Sequence, residues 1–172
     1  MRFILLFILS FTVYSQVVFI ESQNVNYFKS DIDDLGLALT QISSNKPNIG
    51  LTGLEIAKTA IKVSREFSIP VNIILAISYI ESSYRLNAVN KNSNDFGIMQ
   101  VNAYHIRVSK LDKQKLLTDL EYSFHHGVRV FSWFYHRYPL DEAIMRYNCG
   151  TRKGCIELTS VKRYLLKVKR AL

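Results

Sequence analysis

The chain has only seven glycines, three prolines, two cysteines and one tryptophan in 172 residues. So little glycine and proline leaves no low-complexity tract, and no segment repeats. Two cysteines are too few for a zinc site built on thiolates, which needs four ligands. Acidic residues are also scarce, 14 against 22 Lys and Arg, for a formal net charge of +8. That balance favours an anionic partner: nucleic acid, an acidic membrane face or an anionic polymer. No nucleic-acid motif accompanies it, and the basic residues are scattered except in the last 14 positions, so nucleic acid is not the expected partner. Hydrophobic residues make up 48% and charged residues 21%, ordinary globular usage that excludes disorder of the whole chain. The length suits one domain with a proper core.

The longest apolar run lies at the start. Arg2 precedes Phe3 to Val13, interrupted only by Ser10 and Thr12. The run has the length of a signal-peptide core and is short for a spanning helix. Val13-Tyr14-Ser15 reads as a small-x-small cleavage site. Residues 1–15 are therefore expected to be a signal peptide, or an uncleaved anchor reaching to about residue 20, because Val17 to Ile20 extends the apolar stretch. Both readings export the chain to the periplasm or cell envelope. Outside the cytosol, Cys149 and Cys155 in Cys-Gly-Thr-Arg-Lys-Gly-Cys are expected to form a local disulfide. Two free thiols are the alternative. The histidines His105, His125, His126 and His136 lack zinc-ligand spacing, so neither metal nor cofactor is expected.

Beyond the leader, residues 16–49 are polar and weakly periodic, a loose lead-in with a short helix near Ile32 to Ile42. The domain is expected over 50–172. Helical spacing predicts a helix over Leu54 to Val63, with Thr52 as its N-cap. A second helix, Val71 to about Tyr84, has Pro70 in its first turn and is apolar nearly all round, hence buried. Asn87 to Asn94 reads as a loop. Further helices are expected over Asp119 to Tyr138, Asp141 to Tyr147 and Thr159 to Ala171. Phe96 to Asn102 can form part of a small hairpin. The class is mostly α.

One residue breaks the pattern. Glu81 sits near the end of the buried helix, with Ile77, Ser78 and Ile74 three, four and seven positions before it. A carboxyl group against such a wall is desolvated, and its pKa rises above the free value of about 4.3. A carboxylic acid that keeps its proton near neutral pH is what a general acid for a sugar leaving group requires.

Three blocks follow in order: Glu81-Ser82; Asp95-Phe96-Gly97-Ile98-Met99-Gln100; and Tyr147-Asn148-Cys149-Gly150. Together they resemble the soluble-lytic-transglycosylase (SLT) domain family, which has a lysozyme-like fold. The likeness is nearest to the small members that accompany type III and type IV secretion and pilus machines. It covers roughly Gly50 to Gly154, with Ser123 where the family has Asn, Gly127 matching a family glycine, and Cys149 where the family often has Ala.

The resemblance implies a peptidoglycan lytic transglycosylase. Its substrate is a peptidoglycan glycan strand, cut between N-acetylmuramic acid and N-acetylglucosamine to leave a 1,6-anhydro end. Glu81 is then the catalytic acid and base. Tyr147 orients it, and Ser82, Gly97, Met99, Gln100 and Asn148 contact substrate. Gly97 would let backbone approach the glycan. A secretion or pilus apparatus becomes a candidate partner. Asp95 opens an alternative, because animal-type lysozymes carry a similar aspartate as a second catalytic carboxylate. A muramidase using Glu81 and Asp95 is the competing enzyme, and a non-catalytic peptidoglycan-binding module the competing non-enzyme.

Overall fold

A computed structural model describes residues 33–46 and 51–172. The leader, residues 1–15 or 1–20, lies outside the described residues. The chain divides into Met1–Gly36 and Leu37–Leu172. Of the first unit only residues 33–36 are described, as the opening turn of a helix.

That helix, α1, runs over 33–45. From Leu37 on it is docked rather than loose. Ala38 and Ile42 are buried, and Gln41 and Asn45 both donate side-chain amides to the carbonyl of Ala171, at 2.9 and 3.0 Å. These bonds satisfy a carbonyl that a helix end leaves open. The weak period of the sequence hid this, since two alanine-sized or isoleucine contacts suffice to seat a short helix.

The next helix, α2 (Leu51–Phe67), starts earlier than its spacing predicted, so Thr52 lies inside it and is no cap. Helix α3 (Val71–Ser82) follows Pro70 and buries Ile73 to Ser78 without a gap. It packs against α2 on one side and α8 (Thr159–Ala171) on the other. Its end is abrupt: Ser83 and Tyr84 both take left-handed backbone (φ 53° and 61°), and the Ser83 N–H closes on the Tyr79 carbonyl at 2.7 Å. This stop fixes Glu81 in the last turn of the helix.

A small antiparallel sheet follows, β1 (Val89–Asn90), β2 (Asp95–Phe96) and β3 (Val101–Asn102), in that order, with Val89 opposite Phe96 and Asp95 opposite Asn102. The hairpin therefore begins inside the stretch whose polar composition reads as loop. Two short helices, α4 (Ala103–Val108) and α5 (Lys113–Thr118), were not expected at all. Each is six residues long, too short to show a period, and each starts on a side-chain cap, from Asn102 and Asp112. Helix α6 (Leu120–Tyr135), capped by the Asp119 carboxylate, buries Phe124, Val128 and Phe131. Helix α7 (Leu140–Cys149) stops at Gly150, and a 3-10 turn (Cys155–Glu157) leads into α8. The class is mostly α, as expected.

The turn Gly97–Gln100 joins β2 to β3 through two left-handed residues, Gly97 (φ 83°) and Gln100 (φ 51°). Hydroxyls from three helices hold it. Ser82 of α3 donates to the Ile98 carbonyl at 2.8 Å, Ser123 of α6 accepts from the Ile98 N–H at 3.2 Å, and Tyr147 of α7 donates to the Met99 carbonyl at 2.6 Å. Space is as tight as the bonding. A Cβ on Gly97 would lie 2.5 Å from the Leu116 carbonyl oxygen, and one on Gly127 2.4 Å from Met99 Cβ.

Gly97→Ala combines a strained φ with a collision against backbone. It is expected to cost about 3 kcal/mol of stability. The midpoint of urea unfolding measures this, and a change within about 0.5 kcal/mol, the size of an ordinary surface substitution, would contradict it.

Candidate active site

The end of α3, the sheet and α7 enclose a cleft of about 350 Å³, within the size range of small-molecule sites. Glu81, Asp95, Gln100, Tyr147 and Asn148 all line it, so residues up to 67 positions apart in sequence converge there.

Glu81 is the electrostatic centre. Its pKa is raised to about 7, chiefly because burial strips water from the carboxylate. The hydroxyl of Tyr164, on α8, donates to Glu81 Oε1 at 2.6 Å and works the other way, favouring the charged form. The negative charge of Asp95 adds a smaller upward push. Oε2 has no hydrogen-bond partner among the described residues, yet it is not a buried orphan. With Oε1 taken by Tyr164 and Glu81 lining the cleft, Oε2 is the oxygen left for a ligand. Because Tyr164 donates to Oε1, the acidic proton belongs on Oε2, the oxygen that faces a ligand.

Tyr147 and Tyr164 are both pushed well above the usual phenol range, first by burial and then by the charge on Glu81. Both therefore stay protonated and serve as donors. The sequence assigned the task of orienting Glu81 to Tyr147, but its hydroxyl is engaged with Met99, and the hydrogen bond to Glu81 comes from Tyr164. Asp95 accepts from Asn102 Nδ2 at 2.6 Å and from the Ser93 hydroxyl. Its carboxylate is thus held by neutral donors, one on β3 and one in the turn before β2.

Three residues expected to contact substrate do something else. The Ser82 hydroxyl is buried and spent on backbone, donating to Ile98 and accepting from the Arg85 N–H. Met99 is wholly buried against Gly127. Gly97 is buried against Leu116 and Ser123, so packing of the protein on itself, not approach of a glycan, excludes a side chain there. Gln100 does line the cleft, but its amide N–H groups bond the Ala88 and Gly97 carbonyls at 3.1 and 2.9 Å. Asn148 is exposed at the rim.

Cys149 and Cys155 are joined in a disulfide, which ties the cleft-lining end of α7 to the 3-10 turn. Among the described residues no group of three or more His, Cys, Asp or Glu is placed to hold a metal. A second hollow of about 580 Å³ adjoins the first, sharing Tyr104, His105, Val130, Phe134 and Gly150.

Comparison with known proteins fits this geometry. The family model described as "Transglycosylase SLT domain" matches residues 58–163. The chain belongs to this family. Among relatives of the SLT domain, Protein IpgF of Shigella flexneri is 32% identical over 97 residues, covering 52% of this chain and 64% of IpgF. Invasion protein IagB of Salmonella typhi is 29% identical over 115 residues, covering 63% of this chain and 71% of IagB. The lytic transglycosylase Slt of Pseudomonas aeruginosa, solved as an inactive glutamate-to-glutamine mutant, superposes with a TM-score of 0.58 at 16% identity. That match covers 84% of this chain and 28% of Slt, and it establishes the shared fold. The chain thus spans just under two-thirds of the length of IpgF and just over a quarter of Slt.

Tyr164 lies one position beyond the matched segment of the SLT domain. Its spacing with Val161 and Val168 marks it only as a core residue of an amphipathic helix, which is why sequence missed it.

Two outcomes are expected here. Tyr164→Phe removes a bond to the charged form of Glu81, so the Glu81 pKa should rise by about one unit, read from the 13C-carboxyl titration. No change or a fall would contradict the assignment. Reduction of the disulfide should lower the affinity of the cleft for an oligosaccharide probe such as chitotetraose several-fold while circular dichroism retains the helical signal. Unaltered affinity would show that the bridge does not shape the rim.

Proposed function

We propose that this SLT domain is a peptidoglycan lytic transglycosylase. It cleaves the β-1,4 bond between N-acetylmuramic acid and N-acetylglucosamine and leaves a 1,6-anhydro-muramyl end. The single observation that carries this reading is a carboxylic acid with a pKa of about 7 opening on a sugar-sized cleft. Near neutral pH both protonation states are within reach, so the same group can act as acid and then as base.

The chemistry follows from the two oxygens. Glu81 Oε2 gives its proton to the glycosidic oxygen as that bond breaks. The Tyr164 hydroxyl stabilises the carboxylate that results. The substrate's own N-acetyl group supports the cationic sugar carbon, so no protein nucleophile is required. Oε2 then takes the proton of the muramyl 6-hydroxyl as that oxygen attacks the same carbon, which regenerates the acid. No water enters the balance.

Asp95 supports a second reading, a muramidase, because it lines the same cleft and raises the Glu81 pKa. Water would then complete the reaction and the product would be one water heavier. The domain is proposed to act in the cell envelope after export, opening the wall locally. A secretion or pilus apparatus is the proposed partner, on the resemblance of the sequence blocks to the small members of the family.

Digestion of purified peptidoglycan, read by mass spectrometry, tests the reading. Anhydro-muramyl products are expected from wild type, with turnover by Glu81→Gln down at least a thousandfold, as befits loss of the proton donor. The rate should fall about tenfold per pH unit above pH 7 as Glu81 ionises. Hydrated products would favour the muramidase. Full activity of Glu81→Gln would remove Glu81 from the mechanism.

A further inference from the structure

We infer that Arg146 is a specificity residue that reads a carboxylate of the substrate and so sets which glycosidic bond meets Glu81. The inference rests on the reading above and concerns the same cleft.

Among the lining residues Arg146 is the sole Lys or Arg, in a cleft that also holds the two carboxyl groups Glu81 and Asp95 and a set of neutral amides. Its guanidinium is preorganised. Nε donates to Glu142 Oε1 at 2.7 Å, the group stacks on the Tyr138 ring at 4.4 Å, and the side chain is 18% exposed. Among the described residues this Nε bond is its only hydrogen bond, and neither Nη is a buried orphan. The edge formed by the two Nη groups therefore remains for a ligand, in the fork geometry that fits a carboxylate. The position is firm as well. Arg146 precedes Tyr147, which clamps Met99, and lies one turn before Cys149, which the disulfide pins.

The substrate supplies the matching charge. Its two alternating sugars share their ring and acetamide and differ in the lactyl ether of the muramyl unit. That ether ends in a free carboxylate on a peptide-stripped strand, or in a peptide stem with carboxylates of its own. A cleft of neutral donors would bind the strand in two registers, one sugar apart, at similar cost. A fixed guanidinium favours the register that brings the acidic substituent to it. Hydrogen bonds to a charged partner discriminate by roughly ten- to a hundredfold.

The test uses the Glu81→Gln protein, so that binding is read without turnover. Three probes are titrated calorimetrically: a peptide-stripped muramyl tetrasaccharide, its peptide-bearing counterpart, and chitotetraose, which carries no carboxylate. Adding Arg146→Gln should weaken one or both charged probes at least tenfold and chitotetraose less than twofold. Loss confined to the stripped probe identifies the lactyl carboxylate, and loss confined to the peptide-bearing probe a stem carboxylate. Equal weakening of all three, or none, overturns the inference. Should Arg146→Gln fail to fold, Glu142→Gln carries the test. Removing the neutralising partner should tighten charged probes several-fold and leave chitotetraose alone, and unchanged or weaker binding of the charged probes overturns it. If Arg146-dependent binding is found but wild type cuts none of the muramyl probes or whole peptidoglycan, the proposed activity fails while the carboxylate site stands.

Discussion

A carboxyl group stripped of water is the constraint on which the site depends. Glu81 ends a helix whose preceding turns are buried isoleucine, leucine and alanine, and this environment disfavours its charge. Left alone, such a group would stay neutral and be a poor base. The Tyr164 hydroxyl returns part of the stabilisation that water would have given. The resulting balance, near pH 7, lets one side chain alternate between acid and base. Asp95, held by Asn102 and Ser93, tips that balance slightly toward the acid.

Geometry is kept by a second device. The turn Gly97–Gln100 is bound at Ile98 and Met99 by hydroxyls from α3, α6 and α7, so three helices share one fixed point in the wall of the site. Ser123 performs its part of this through its hydroxyl, which accepts from the Ile98 N–H. Gly97 and Gly127 admit no Cβ because the turn is pressed onto α5 and α6. A motif that looks like a row of substrate contacts is thus largely an internal joint. Its upkeep positions Gln100 and the cleft wall, and only through them the ligand.

Much of this was legible in sequence where one strong signal stood alone. A single charge on an all-apolar helix exposed Glu81, and the amphipathic period of α8 gave its ends, Thr159 and Ala171. What stayed hidden depends on three-dimensional pairing. Ser82 and Met99 are chemically fit to meet a sugar, and only packing reveals that they face inward. Tyr164 has the spacing of a core residue and the function of a donor. Helices α4 and α5 are made by their caps rather than by a hydrophobic period, and the docking of α1 by two amides aimed at the end of α8. The family likeness orders the blocks along the chain and leaves these partnerships unassigned.

The central claim, that the fold raises the Glu81 pKa toward neutrality, has a thermodynamic signature separate from catalysis. A carboxyl group whose folded pKa is raised binds its proton more tightly in the native than in the unfolded state. Wild type should therefore lose stability as pH rises from about 4.5 through about 7. Glu81→Gln keeps an acceptor for Tyr164 and has no charge to bury. Unfolding free energies of the two proteins should coincide at pH 4, and the Gln variant should be more stable above pH 7, by on the order of 3 kcal/mol. A wild type as stable as the variant across that range, or more so, would contradict the account.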